Sequence, residues 1–331
     1  MHKIKLKKIL PRLIYTIVGI AILTTLYYFV IGFSLNNPGH IFNKGHNAIW
    51  IGHKWIGEEH SQKEIINLVK DFQEHDIDLV FVHSGPLLKN GSVDTKLHSN
   101  VTKFLQIAKP LDTDIKYQAW LGQVRNKIDL SSTEVRNNIS SVALLLTESV
   151  GFDGIHYDIE PIRNNDEDFL LLLLETKNKL KSDKKMSVAV SELIPKSVVW
   201  FLQDIYEFTN YNSEKNLKQI AEIADQIVLM IYDTGTPKKW LYTWLVKEQV
   251  VRTSKLIPND KELYIAIPTY DKPNDGFNPE VENISSALQG VINGLNDLRS
   301  NSDSFTGIAL YANWTTDALE WESYSKLFQK N

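Results

Sequence analysis

A chain of 331 residues, 43% hydrophobic and 23% charged, has the composition of a folded globular protein, which excludes a disordered or fibrous one. It has no cysteine, so disulfides, thiolate metal sites and thiol nucleophiles are excluded. Five of the 36 Lys and Arg residues lie in the first twelve positions, so the remainder sets 31 basic residues against 40 acidic ones, about −9, a poor match for nucleic acid or another polyanion.

In chain order, residues 1–12 form a basic arm with Lys3, Lys5, Lys7, Lys8 and Arg12. An uncharged apolar run follows from Leu13 to Phe33, near the ~20 residues that a helix needs to cross a bilayer. It is longer than the core of a cleaved secretory signal, commonly about 7–15 residues, so the expectation is a single-pass signal anchor, with the cleaved signal as its rival. The positive flank places the N-terminus in the cytoplasm and everything after Phe33 outside, at the cell membrane. Residues 34–45 carry Asn36, Asn37, Pro38, Gly39 and Asn43 and read as a linker, and one folded domain is expected over 46–331.

Within that domain, short β-branched and aromatic runs alternate with longer segments of helical periodicity. Strands are predicted at Ala48–Ile51, Leu79–His83, Ile115–Leu121, Gly154–Ile159, Ser187–Ser191, Gln226–Tyr232, Leu263–Pro268 and Gly307–Tyr311. Helices are predicted at Gln62–Glu74, Leu97–Ala108, Thr133–Ser149, Glu167–Lys181, Glu214–Ala224, Pro237–Leu256, Glu280–Leu298 and Thr316–Phe328. Eight strand–helix alternations without a break in composition imply an α/β protein, a (β/α)8 TIM barrel, preceded by the transmembrane helix.

The fourth strand belongs to Gly151–Ile162, GFDGIHYDIEPI, where His156, Asp158 and Glu160 recur at every second position. In a strand such residues share one face, spaced ~6.6 Å Cα to Cα. A row of unpaired charges is too costly to bury as core, so the face must line a polar cavity or pair its groups. Two adjacent carboxyls separate in pKa, which makes one a general acid and the other a charged stabiliser; Glu160 is the candidate acid and Asp158 its partner. Other predicted strand ends supply Gln118, Trp120 and Gln123, then Glu192, Tyr232 and Asp233, Tyr270 and Asp271, and finally Tyr311, Asn313 and Trp314. Aromatic faces and hydrogen-bonding groups together suit a carbohydrate.

Asp153, Gly154, Asp158 and Glu160 resemble the Asp-x-x-Asp-x-Asp-x-Glu signature of family 18 glycoside hydrolases, the chitinases and endo-N-acetylglucosaminidases. Met230, Ile231, Tyr232 and Asp233 resemble that family's Met-x-Tyr-Asp, and Gly307–Tyr311 its eighth-strand aromatic segment. The resemblance implies hydrolysis of an N-acetylhexosamine-containing glycan by substrate-assisted retention, without a cofactor or metal. Glu160 would be the acid, Asp158 would orient the substrate's acetamido group, and Tyr232 would hydrogen-bond its oxygen. Asp233, His156, Trp120, Gln118, Glu192, Tyr270, Tyr311 and Trp314 would contact the sugar, and Asp153 would be a support.

The chain departs from the signature at His156, which stands where the family has the aspartate that hydrogen-bonds the middle one. The imidazole is expected to contact Asp158 instead. It leaves a non-catalytic glycan-binding barrel as the alternative. A metal-dependent hydrolase using the same row is the third reading, although three ligands on one strand diverge rather than converge on an ion.

Overall fold

The computed structural model describes residues 14–25, 37–194, 212–270, 272–273 and 277–329. Eight parallel strands close into a barrel in sequence order: β1 Asn47–Ile51, β2 Ile77–His83, β3 Lys116–Val124, β4 Gly154–Glu160, β5 Lys185–Ser191, β6 Gln226–Met230, β7 Glu262–Pro268 and β8 Phe305–Tyr311. The helices that follow them are α1 Gln62–Glu74, α2 Val101–Leu111, α3 Thr133–Leu145, α4 Glu167–Lys179, α5 Glu214–Ile223, α6 Lys239–Thr253, α7 Ile284–Leu295 and α8 Ala318–Leu327. This is the (β/α)8 barrel expected from the alternation.

Several helix starts follow from capping chemistry, because the first backbone N–H groups of a helix need outside acceptors. Ser61 and Glu64 form a reciprocal capping box on α1, Ser132 accepts from Val135 on α3, Asp166 from Phe169 on α4, and Ser213 from Asn216 on α5. At the end of α3 the chain passes through a wide turn, Leu146–Val150, into Gly151, whose φ of +101° is left-handed backbone that favours glycine. That reversal feeds the chain into β4.

The period of two divides β4 between two environments. Ile155, Tyr157 and Ile159 join the layer between strands and helices, where the Tyr157 hydroxyl meets Thr176 on α4 at 2.8 Å. Inside the barrel Trp50, Phe81, Trp120 and Tyr264 fill space left by Ala48, Ala189, Ala266 and Ala309. Outside it, α6 and α7 approach closely because Gly290 and Gly294 face Val246 and Val250; an added Cβ would lie 2.6 and 2.7 Å from the valine Cβ atoms.

The described part of the expected membrane anchor is a helix over 14–25, with Ile14, Tyr15, Ile17, Val18, Ile20, Ile22 and Leu23 exposed. No helix among the described residues is long and apolar enough to cross a membrane; the rest of the expected 13–33 span lies outside them. The end of the expected linker is tied to the barrel. Asn37 exchanges two 2.9 Å hydrogen bonds with Asn296, and Asn43 donates to Asp76 just before β2 at 2.9 Å. The chain therefore reaches β1 across the face where the strands begin. A cavity of about 820 Å³ opens on that same face, lined by charges that include the Lys185–Glu262 and His46–Asp78 pairs, far from the opposite mouth.

Candidate active site

Asp158 and Glu160 occupy the last inward positions of β4, half-buried at the barrel mouth. Being surrounded by protein strips hydration from both carboxyls and favours their neutral forms. Burial raises Glu160 well above the usual carboxylate range, and the neighbouring charges of Asp158 and Glu192 push it further. Burial also raises Asp158, to about 6, but the Trp120 indole N–H opposes this by donating to Asp158 Oδ2 at 2.8 Å, and the Glu160 side chain opposes it to a lesser degree. The proton therefore resides preferentially on Glu160. Its Oε1 accepts a long 3.5 Å contact from Ser191 on β5, whereas Asp158 Oδ1 is buried with no hydrogen-bond partner.

An aromatic wall faces this pair. Tyr232 stacks on Tyr311 with ring centres 5.3 Å apart, and Tyr270 stands edge-on to both at 5.9 Å. Trp314, 45% exposed, meets Tyr311 edge-on at 5.6 Å and helps to line a cavity of about 500 Å³ with Trp120, His53, Lys54, Glu58 and His83. Asp233 follows Tyr232 in left-handed backbone (φ +56°), is exposed, and accepts from the Tyr270 hydroxyl at 3.4 Å. Glu192 is raised to about 7, by burial first and then by Glu282 and Asp233. Asp158, Glu160, Tyr232, Asp233, Glu192, Tyr270, Tyr311, Trp314 and Trp120 thus gather at one mouth; Asp271 lies outside the described residues.

Two expectations are corrected. His156 does not touch Asp158. It is fully buried, stacks on Phe81 at 3.9 Å, accepts from Trp50 Nε1 at 3.2 Å through Nε2, and donates from Nδ1 to Ser187 Oγ at 2.7 Å. Burial drives its pKa down to about 3, so it is neutral and offers the cleft no free atom. Gln118, expected in the sugar cleft, is also buried, because it sits one inward layer below Trp120 on β3. Ser187 donates to its carbonyl at 2.6 Å, it donates to Gln226 at 2.5 Å, and Gln226 donates to Glu262 at 2.6 Å. A hydrogen-bonded column so runs from Trp50 to the far end of the barrel. Asp153 supports only the entry of β4: it pairs with Lys109 at 2.6 Å and accepts from the Tyr117 backbone N–H at 3.0 Å, remote from the mouth.

Sequence reasoning missed Trp50, Ser191, His83 and Glu282. Trp50, Ser191 and His83 lie on strands already predicted, and their inward positions could have been counted from the alternation. Glu282 carries no local signal. It is buried before α7 and accepts from the Thr234 hydroxyl at 2.7 Å and the Thr236 N–H at 3.3 Å, shaping the loop that carries Asp233.

A barrel with two unequally protonated carboxyls at its carboxyl-end mouth, faced by stacked tyrosines, has the parts of a sugar-cleaving enzyme. The model of Glycosyl hydrolases family 18 matches residues 61–329, and the chain belongs to that family: it is a chitinase-like glycosidase. No curated protein matches the chain. Among solved structures, the spore cortex-lytic enzyme SleL of Bacillus cereus is similar with a TM-score of 0.60 at 14% identity, over 86% of this chain and 74% of that one. The class V chitinase of Cycas revoluta, a mutant in complex with (GlcNAc)3, gives 0.56 at 16% identity over 85% and 99%. The Group IV chitinase of Ostrinia furnacalis gives 0.56 at 16% over 85% and 98%. At such identities these likenesses establish the fold alone.

Proposed function

We propose that this glycosidase cleaves an N-acetylhexosamine-containing glycan by substrate-assisted retention, with Glu160 as general acid and base. The observation that carries the reading is the division of labour on β4: a carboxyl kept protonated at the mouth beside an Asp158 whose buried Oδ1 lacks a donor. An acetamido N–H is a donor of the right kind. Glu160 delivers its proton to the glycosidic oxygen as the bond to the anomeric carbon breaks, and the substrate's acetamido oxygen closes on that carbon to give an oxazolinium. Water then opens the ring and returns a proton to Glu160. Ionised Asp158 steadies the positive acetamido nitrogen. Tyr232, whose hydroxyl stays protonated because burial raises it well above its usual value, donates to the acetamido oxygen before attack. Asp233, Glu192 and Tyr270 bind sugar hydroxyls, while Tyr311, Trp314 and the face of Trp120 pack on the rings. The Cycas revoluta chitinase complexes with (GlcNAc)3 and with allosamidin support this substrate class.

The apolar helix over 14–25 and its basic flank support membrane anchoring, with the glycosidase domain outside the cell. The chain enters the barrel on the face opposite the mouth, so an anchored molecule presents its cleft away from the bilayer.

The test is turnover of N-acetylglucosamine oligomers by full-length protein and its Glu160→Gln variant. Removing the acid lowers kcat by about 10²–10⁴-fold with the fold retained. Wild-type turnover in Glu160→Gln rejects Glu160 as the acid. Saturable oligomer binding without product from the wild type indicates the glycan-binding alternative.

A further inference from the structure

We propose that Trp120 is the positioning residue of the reaction: its indole N–H holds Asp158 ionised, with Oδ2 engaged and Oδ1 turned free for the acetamido group. The proposal rests on the functional reading above and deepens it. The residue at 156 cannot do this work, since both ring nitrogens of His156 are committed to Trp50 and Ser187. Trp120 does it from the neighbouring strand.

The geometry is built for that contact. Register pairs Trp120 with His156 and Gly122 with Asp158, so the indole must lean one inward step along β3 to reach the carboxylate. It does so across Gly122, where an added Cβ would lie 3.3 Å from the indole nitrogen and 3.8 Å from Asp158 Oδ2. The ring is held in that lean by His83, edge-on at 4.6 Å, and by Tyr311 at 6.4 Å. His83 is neutral under working conditions, because burial and its histidine neighbours depress it to about 4, so it supports the indole without adding charge.

The titratable groups facing Asp158 are Glu160 on β4, Tyr232 beyond β6 and Tyr311 on β8. Glu160 is protonated and both tyrosines are neutral, so none supplies the positive charge that ordinarily keeps a buried carboxylate ionised. The Trp120 indole is the larger of the two side-chain hydrogen-bonding influences that favour ionised Asp158, the other being protonated Glu160. Without the indole the proton affinity of Asp158 rises, and the ionised fraction needed to orient the acetamido group falls. Activity is lost as pH drops through the Asp158 midpoint, so a higher midpoint moves the acid limb of the pH profile upward.

The experiment uses the full-length protein with Asp carboxyl carbons labelled with ¹³C, the Asp158 signal being assigned by its loss in Asp158→Asn. In Trp120→Phe the Asp158 midpoint moves up by about one to two pH units, the equivalent of one hydrogen bond to a charged group. On N-acetylglucosamine oligomers kcat falls about five- to fiftyfold near pH 6 and partly recovers at higher pH, while KM changes by less than about threefold. Gly122→Ala keeps both polar groups and displaces the indole by a few tenths of an ångström, and it moves midpoint and acid limb in the same direction by less. This second variant keeps the proposal testable if Trp120→Phe fails to fold. An unchanged Asp158 midpoint in a folded variant overturns the proposal. A midpoint that moves while the acid limb stays removes Asp158, and Trp120 with it, from the reaction. Failure of the functional reading shows separately, as a Glu160→Gln enzyme that still turns over.

Discussion

His156 sits in a buried slot that fits only the neutral imidazole. Trp50 donates to one nitrogen and Ser187 accepts from the other, while Phe81 covers a ring face, so burial denies a protonated ring its hydration. In the unfolded chain a histidine titrates near 6.5, whereas here it titrates at about 3. The unfolded state therefore binds the extra proton between those values, and this residue makes the protein progressively less stable as pH falls below 6.5. His156→Ala leaves a cavity, an unpaired indole N–H and an unpaired hydroxyl, and it destabilises the fold by about 3–5 kcal/mol at pH 7. Denaturant unfolding at pH 7 and pH 4.5 checks both points. The variant is less stable at neutral pH, yet its stability declines less between pH 7 and pH 4.5 than that of the wild type. The row His156, Asp158, Glu160 was legible from the period of two, including its common face. The separation of His156 from Asp158 was not legible, because the groups that hold it come from 106 and 31 residues away.

Element boundaries follow the physics of their ends more closely than their hydrophobic runs. α1 was readable to the residue because Ser61 and Glu64 cap it locally. α7 starts at Ile284, four residues later than the apolar pattern suggested, because Asn283 caps it by accepting from Ser286. The helix pair α6–α7 shows what the pattern omits. On α6, Trp240 is 62% exposed whereas Tyr242, two residues on, is buried and donates to the Ile231 carbonyl at 2.6 Å. The tight seam lies between Gly290 and Gly294 on α7 and the valines of α6. Gly290→Leu forces that seam apart and destabilises by about 3 kcal/mol or more, an overpacking effect, while the β4 carboxyls keep their positions. Thermal unfolding together with kcat at a permissive temperature measures it: Tm falls and kcat stays near the wild-type value.

At the scale of the molecule, the barrel separates two faces. The mouth gathers the carboxyls and stacked tyrosines, and the opposite face receives the chain through Asn37 and Asn43. Deleting residues 1–36 removes the apolar helix without touching these contacts, so the truncated protein partitions to the soluble fraction while the full chain sediments with membranes, and both show the same kcat on N-acetylglucosamine oligomers. Equal partitioning of the two forms removes the anchor from the reading. The sequence alone determined the eightfold alternation, the barrel, the strand that carries Asp158 and Glu160, and the second motif at Tyr232 and Asp233. Each of these is written in short-range periodicity or in a few adjacent residues. Only the tertiary structure decided that Gln118 and His156 belong to a buried polar column, that Asp153 serves the remote end of β4, and that Trp120 crosses Gly122 to hold Asp158. Those assignments depend on strand register and on how far inward each position sits, and closure of the barrel alone fixes both, by bringing together side chains that local sequence cannot relate.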